Sequence, residues 1–259
     1  MKIIVCIKQV PDTTEIRLNP ETGTMIREGV PSIMNPDDKS GLEVALSLKD
    51  QWGAHVTVLT MGPPQADDML REAYAMGVDK AIHLTDRKFA GADTLATSQA
   101  IAGAIKQLKY DLIITGRQAI DGDTAQVGPQ IAELLDIPQV TYVEQIVKDD
   151  NQFTIKKKNE AGYQMLQVSS PCLITVLSSA NEPRYMTVSG ILNAYKKEVE
   201  VWGFDQINVV EEHLGLKGSP TRVVKSFTKG AKAMAQMHEV DTDKAVEIIV
   251  EKLKEKFII

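Results

Sequence analysis

Up to about residue 140 the chain alternates short, nearly unbroken runs of Val, Ile and Leu with longer stretches of helical spacing. The apolar runs are Ile3–Ile7, His55–Thr60, Lys80–Leu84 and Leu112–Thr115. Such runs keep no polar face for water, so both their faces must be covered, as in a parallel sheet. The intervening stretches are long enough for crossover helices. Strand and helix alternating in this way close as right-handed βαβ units on an open sheet.

The helix ends are legible. Asn35-Pro36-Asp37-Asp38 reads as an N-cap, a Pro at the first helical position and two acids favoured by the helix dipole. Leu42, Ala45 and Leu46 follow at helical spacing, and Gly53 after Trp52 reads as a left-handed stop. A second helix is predicted from about Pro64 to Met76, ending at Gly77, and a third from about Asp93 to Lys109 with Ile101, Ile105 and Leu108 on one face. A fourth begins near Thr124, carries Val127, Ile131, Leu134 and Leu135, and stops before Pro138. Two stretches break the rhythm. Arg17 to Arg27, with Asn19-Pro20 and Thr22-Gly23, reads as a small hairpin excursion. Tyr142 to Val168 alternates around a polar turn at Asp149-Asp150-Asn151, as an antiparallel meander at the sheet edge would. The fold expected is α/β: a doubly wound, mostly parallel Rossmann-like sheet with an antiparallel edge meander and a C-terminal helical arm.

The arm is read after Leu214, where turn residues and a basic bias precede one more helix. Asp241 and Asp243 open it, and Val246, Ile249, Val250, Leu253 and Phe257 form an apolar stripe. That stripe needs a cover, either its own domain or another subunit. The division expected is a nucleotide-binding α/β domain over 1–204 and a linker with a docking arm over 205–259.

Composition narrows the function by exclusion. A net charge of -6 and a pI near 5.3 provide no electrostatic footprint for nucleic acid or an anionic membrane. No apolar run approaches the length of a bilayer span, and the strand-like stretch from Lys2 is too short for a secretory segment. A cytoplasmic, unprocessed chain is expected. The cysteines, Cys6 and Cys172, sit in predicted strands without metal-site spacing and read as reduced, packed thiols. His55, His83, His213 and His238 are scattered, and no nucleophile–base–acid set, paired-carboxylate site or zinc spacing emerges. Chemistry of this kind of chain falls to a cofactor.

Ligands of open α/β sheets bind where strands lead into helices at their carboxyl ends. The first strand is followed by Lys8-Gln9-Val10-Pro11, without glycine, and no phosphate-binding loop of the G-x-x-x-x-G-K-[ST] type occurs. An ordinary NAD dehydrogenase and a P-loop NTPase are thereby disfavoured. The richest loop runs from Gly116 through Asp121, Asp123, Thr124 and Gln126 to Val127 and Gly128. Its amides, the Thr124 hydroxyl and the Gln126 amide can hold a phosphate, and Gly128 allows close approach of a ligand or backbone. A solvated acidic turn ending in a cap is the other reading. A second junction, Lys88 to Ser98, places Ala92, an Asp93 N-cap, Thr94 and Thr97 at a helix start. It reads as a capped helix or as a receiver for a second nucleotide.

Ile7-Lys8-Gln9-Val10-Pro11-Asp12, Met34-Asn35-Pro36-Asp37-Asp38, Ala75 to His83, the Gly116–Gly128 loop and Asn181-Glu182-Pro183-Arg184-Tyr185 together resemble the beta subunit of electron-transferring flavoproteins, in order from the N-terminus to about Val201. The resemblance implies a heterodimer with an FAD-bearing alpha subunit and an adenine nucleotide, AMP or FAD, in this chain. Carried over by position, the nucleotide would touch Cys6, Asn35, Met61, Asp121, Asp123, Thr124, Gln126, Val127 and Gly128. Ala125 and Val127 stand where the AMP-binding pattern has Asn and Thr, which removes two side-chain hydrogen bonds. The stretch after Tyr185 is similar to the family's partner-recognition loop, with Glu182, Arg184, Ile191 and the apolar anchor position Val188, usually Leu. Ser178-Ser179 before Ala180 departs from the Leu-Arg-type segment of the housekeeping branch, and Gly91-Ala92-Asp93-Thr94 resembles the electron-bifurcating branch. That branch implies FAD in this chain, NADH approaching Ala92, Asp93, Thr94 and Thr97, and electrons passing to an acyl-CoA dehydrogenase and to ferredoxin or flavodoxin.

Overall fold

The alternation in the sequence becomes two apolar cores separated by one sheet. In β1 (Lys2–Cys6), Ile3 and Val5 enter one core and Ile4 and Cys6 the other, because successive strand side chains point to opposite faces. This computed structural model describes residues 1–12, 31–150, 152–222, 224 and 237–259. After β1 come β2 (Gln9–Pro11), β3 (Ser32–Met34), α1 (Pro36–Trp52), β4 (His55–Met61), α2 (Asp67–Met76), β5 (Lys80–Leu84), α3 (Thr94–Ile105), β6 (Leu112–Gly116) and α4 (Val127–Leu135). β7 (Gln139–Asp149), β8 (Gln152–Asn159), β9 (Gly162–Ser169), β10 (Cys172–Val176), α5 (Val188–Ala194), β11 (Val199–Trp202) and α6 (Thr242–Glu255) follow.

The main sheet has nine strands in the order β11-β5-β4-β1-β6-β10-β7-β8-β9. Pairing is parallel from β11 to β7 and antiparallel across β7, β8 and β9. The expected mostly parallel sheet with an edge meander is therefore present. Every residue of β6 and β10 is buried, as strands covered on both faces require. α1 and α2 pack Leu42, Leu46, Met69 and Leu70 into the first core; α3 and α4 pack Ile101, Ile105 and Ile131 into the second. Each such side chain contributes roughly 1.5–3 kcal/mol on removal from water.

Three local outcomes refine the sequence expectations. α1 starts at Pro36 and ends on left-handed Gly53 as expected, but the Asn35 side chain makes no capping bond. α3 ends at Ile105 rather than Lys109, because Gln107 and Leu108 donate three residues back, to Ala104 and Ile105, and close the helix. α4 starts at Val127 rather than Thr124, since Asp123 and Ala125 adopt φ of 51° and 53°, outside the helical region. The hairpin expected at Arg17 to Arg27 lies outside the described residues; β2 and β3, which flank it, pair antiparallel.

The chain divides into two units, Met1–Val224 and Lys225–Ile259. In the first, the stretch after β11 returns over the second core and buries Ile207 and Leu214 there. In the second, α6 is opened by Asp241, whose carboxylate accepts the Lys244 amide, and none of its residues is buried. No helix among the described residues is long and apolar enough to cross a membrane. Nor do they contain a group of three or more His, Cys, Asp or Glu placed to hold a metal ion.

Candidate functional site

A cavity of about 940 Å³ opens where β1, β4 and β6 end, lined by Cys6, Met61 and Gly116 at those ends. This is the position that open α/β sheets give to ligands. Thr94 and Thr97 in the first turn of α3 form one side, and Thr124 to Gly128 at the start of α4 another.

The α4 side leaves its first amides without protein partners among the described residues. Left-handed Asp123 and Ala125 turn the chain sharply into the helix, and no side chain caps it. Among the described residues, the amides of Thr124, Ala125, Gln126, Val127 and Gly128 have no protein acceptor. Uncapped helix amides facing a cavity need an acceptor from outside, and phosphate oxygens suit both the donors and the dipole. Gly128 is required by packing: a Cβ there would stand 2.7 Å from Thr115 Oγ1 and 2.9 Å from Thr175 Cγ2. The close approach allowed by this glycine is therefore to strands β6 and β10.

Behind that loop stands a buried polar support. Asn35 is fully buried; its Nδ2 donates to the Gln118 carbonyl at 2.8 Å and its Oδ1 accepts the Ile120 amide at 3.1 Å. Asp38, also buried, accepts the Lys8 amide at 2.8 Å and the Gly116 amide at 2.9 Å, joining the ends of β1 and β6. Burial pushes its carboxyl up to about 7, although the Lys8, Asn35 and Gly116 donors favour the charged form. Asp37 accepts the Ser178 amide at 2.9 Å and forms an ion pair with Arg117, Nε to Oδ2 at 3.3 Å. That contact is too poorly aligned to count as a hydrogen bond. Lys8 grips both carboxylate oxygens of Asp121, at 2.7 and 2.9 Å, so one acid of the loop is neutralised. Asp123 accepts the Gln118 side-chain amide at 2.6 Å. Two of the acids that argued for a merely solvated turn are thus occupied within the protein.

The α3 side is different, because its helix is capped by its own Asp93, which accepts the Ala96 amide at 3.1 Å. The sides touch where Thr94 Oγ1 donates to Gln126 Oε1 at 2.9 Å. Cys6 lies between them at the cavity floor, its thiol pushed up to about 12 by burial and then by the Asp38 charge.

Of the residues singled out in the sequence, Cys6, Met61, Ala92, Asp93, Thr94, Thr97, Thr124, Gln126, Val127 and Gly128 line this cavity. Asn35, Asp121 and Asp123 stand off its wall and hold the loop instead. Glu182, Arg184, Val188 and Ile191 belong to a separate surface. There the Arg184 guanidinium is engaged by Glu43, at 2.9 Å, and Asp50, at 2.8 Å, while Val188 is 77% exposed and Tyr185 95%. Lys8 and Asp38 stand in the motifs without a role at the site, since nothing local reveals that an acid in a first helical turn accepts the Lys8 and Gly116 amides at the ends of two strands.

The fold and the site define a class: an open α/β sheet protein whose cavity at the strand ends is bordered by an uncapped helix start rather than a glycine-rich fingerprint. Comparison with known proteins resolves the class further. The electron transfer flavoprotein domain matches residues 22–206. The chain is 57% identical over 259 residues, the full length of both, to "Electron transfer flavoprotein subunit beta" of Clostridium acetobutylicum. It is 52% identical, again over the whole of both chains, to "Caffeyl-CoA reductase-Etf complex subunit CarD" of Acetobacterium woodii. To "Acryloyl-CoA reductase electron transfer subunit gamma" of Anaerotignum propionicum it is 48% identical over all of both. The chain belongs to the electron transfer flavoprotein family, on its beta-subunit side.

Proposed function

We propose that this chain pairs with an alpha subunit in a complex that oxidises NADH at an FAD held in the cavity. The complex then passes electrons to an acyl-CoA dehydrogenase and to a low-potential acceptor, ferredoxin or flavodoxin. One observation carries the reading: the uncapped start of α4 and the hydroxyl-bearing start of α3 meet across one cavity of about 940 Å³. AMP is less than half the size of FAD and would leave most of that space open, whereas a dinucleotide fits a pocket at the upper end of the usual range.

FAD bound there supplies hydride acceptance and the release of electrons one at a time. The protein supplies the rest. The Thr124–Gly128 amides are the donors for a diphosphate. Asn35, Asp38 and Lys8 keep those donors in place from behind. Met61, Phe89 and Ile101 form apolar wall that limits water. Thr94 and Thr97 offer hydroxyls, and Ala92 leaves space, at the side where NADH would approach.

Relatives whose names place them in caffeyl-CoA and acryloyl-CoA reductase complexes favour an acyl-CoA dehydrogenase as partner. The exposed loop from Glu182 through Val188 to Ile191 supplies a docking surface for it, with Arg184 fixing the loop rather than reaching the partner. The unburied stripe of α6 suits docking on the alpha subunit. Extracting the purified heterodimer and counting nucleotides tests the reading. A second FAD per heterodimer and no AMP is expected; a single FAD with one AMP overturns it in favour of a carrier that accepts electrons from dehydrogenases without NADH.

A further inference from the structure

The loop between β5 and α3 has few bonds of its own. Asp86 accepts the Lys88 amide at 2.9 Å, Phe89 and Ala90 donate back to Asp86 and Arg87, and Gly91 is left-handed at φ 74°. The remaining support arrives from more than a hundred residues later. In the segment Leu214 to Thr221, the Leu216 amide donates to the Ala90 carbonyl at 3.1 Å. Ser219 Oγ accepts the Asp93 amide at 2.8 Å and donates to the Gly215 carbonyl at 2.8 Å. Thr221 donates twice to Asp93 Oδ2, from its amide at 3.1 Å and its hydroxyl at 2.8 Å.

This segment is itself fixed. Leu214 and Ser219 are buried. Gly215 has a left-handed φ of 54°, and a Cβ there would strike the Lys88 carbonyl oxygen, so no other residue fits. The Asp93 carboxylate is consequently divided: Oδ1 caps α3 through Ala96 and Oδ2 is held by Thr221. Burial opposes its charge, but the Ala96 and Thr221 donors outweigh burial and hold it below the usual carboxylate range. Beyond Asp93, Thr94 reaches Gln126 on the opposite side of the cavity.

We infer that Ser219 and Thr221 are positioning residues of the nucleotide site, holding Asp93 and the first turn of α3 so that the Thr94 and Thr97 hydroxyls face an incoming NADH. The inference rests on the NADH reading proposed above and adds to it residues that lie outside every motif by which that reading was reached.

The test uses the full heterodimer carrying Thr221→Val, Thr221→Ser or Ser219→Ala. Amide hydrogen exchange over residues 88–98 is measured without ligand, and NADH oxidation with an artificial acceptor is resolved into kcat and KM. Thr221→Val should speed exchange at Ala96 and raise the KM for NADH roughly threefold to fivefold, the scale of one exposed hydrogen bond. FAD content and kcat should stay within about twofold, since the α4 cradle is untouched. Thr221→Ser, which keeps the hydroxyl, should restore both readouts. Unchanged exchange in both Thr221→Val and Ser219→Ala overturns the inference, and so does faster exchange with an unchanged KM. A wild-type heterodimer that oxidises no NADH sinks the NADH reading, and the exchange at Asp93 and Ala96 then decides by itself whether the segment holds the loop.

Discussion

The two loop-to-helix junctions face one cavity but are held in opposite ways. The loop into α4 leaves its helix uncapped and is braced from behind by Lys8, Asn35 and Asp38, from the opening of the chain. The loop into α3 carries its own cap at Asp93 and is tied from outside by Ser219 and Thr221, near the end of the first unit. A capped helix start has given at least one of its free donors, here the Ala96 amide, to its own chain. An uncapped one keeps them for a ligand, and the shape of its loop must then come from elsewhere. The difference separates a junction that grips from one that positions. It also predicts that the α4 brace, being buried, should carry larger energies than the α3 tie.

The largest effect should come from Asp38. Its carboxyl has a folded value of about 7 against an ordinary 3.8. The folded chain therefore binds more protons than the unfolded chain between these values. Stability contributed here is fully present below the unfolded value and is lost as pH rises towards 7, by at most about 4 kcal/mol. Urea unfolding at pH 4, 5.5 and 7.5, compared with Asp38→Asn, isolates this part from the other carboxylates, whose linkage runs the opposite way where their values are lowered. Parallel pH profiles for the two proteins would remove the charged brace from the comparison. Asn35→Ala comes next. It strands the part-buried Gln118 carbonyl and Ile120 amide, at about 1 kcal/mol for each, and should empty the cavity of nucleotide. Thr221→Val, by contrast, removes a hydroxyl at an exposed site and should cost about 1 kcal/mol or less. Equal losses of unfolding free energy in these two variants would break the distinction between brace and tie.

Much of this arrangement is legible in the sequence. The strands around β1, the start and stop of α1, the Asp93 cap and the edge meander all follow from local patterns, because each depends on periodicity or on a residue beside the element it ends. The α4 loop reads as a candidate ligand site from its place after a buried strand, and it does border the cavity. What local pattern could not supply was long-range pairing. Asn35 reads as an N-cap, yet its side chain makes no capping bond; Asp38 does sit in the first helical turn as expected, and both side chains also serve residues about eighty positions later. Asp123 and Ala125 gave no sign of left-handed geometry, so α4 was expected three residues early. The segment Leu214–Thr221 looked like linker, for its bonds to Asp93 need the folded sheet to bring them together.

The smallest predicted effects sharpen the comparison because they use one type of interaction at both junctions. Lys8–Asp121 braces the α4 loop and Lys88–Glu211 joins the α3 loop to the returning chain. Their shortest distances are nearly equal, 2.7 and 2.8 Å. Their settings are not: the Asp121 side chain is 7% exposed, whereas Lys88 and Glu211 are 39% and 42% exposed. Water and salt screen the second pair, and holding two long side chains together costs entropy, so Glu211→Gln should leave the urea midpoint unchanged within error. Lys8→Met leaves a nearly buried carboxylate without its cation. Allowing for the half-exposed lysine, about 1 kcal/mol should be lost, with little recovery in salt. A Glu211→Gln loss as large as that of Lys8→Met would show that burial does not rank the two junctions, and that the returning chain supports the cavity as firmly as the brace behind α4.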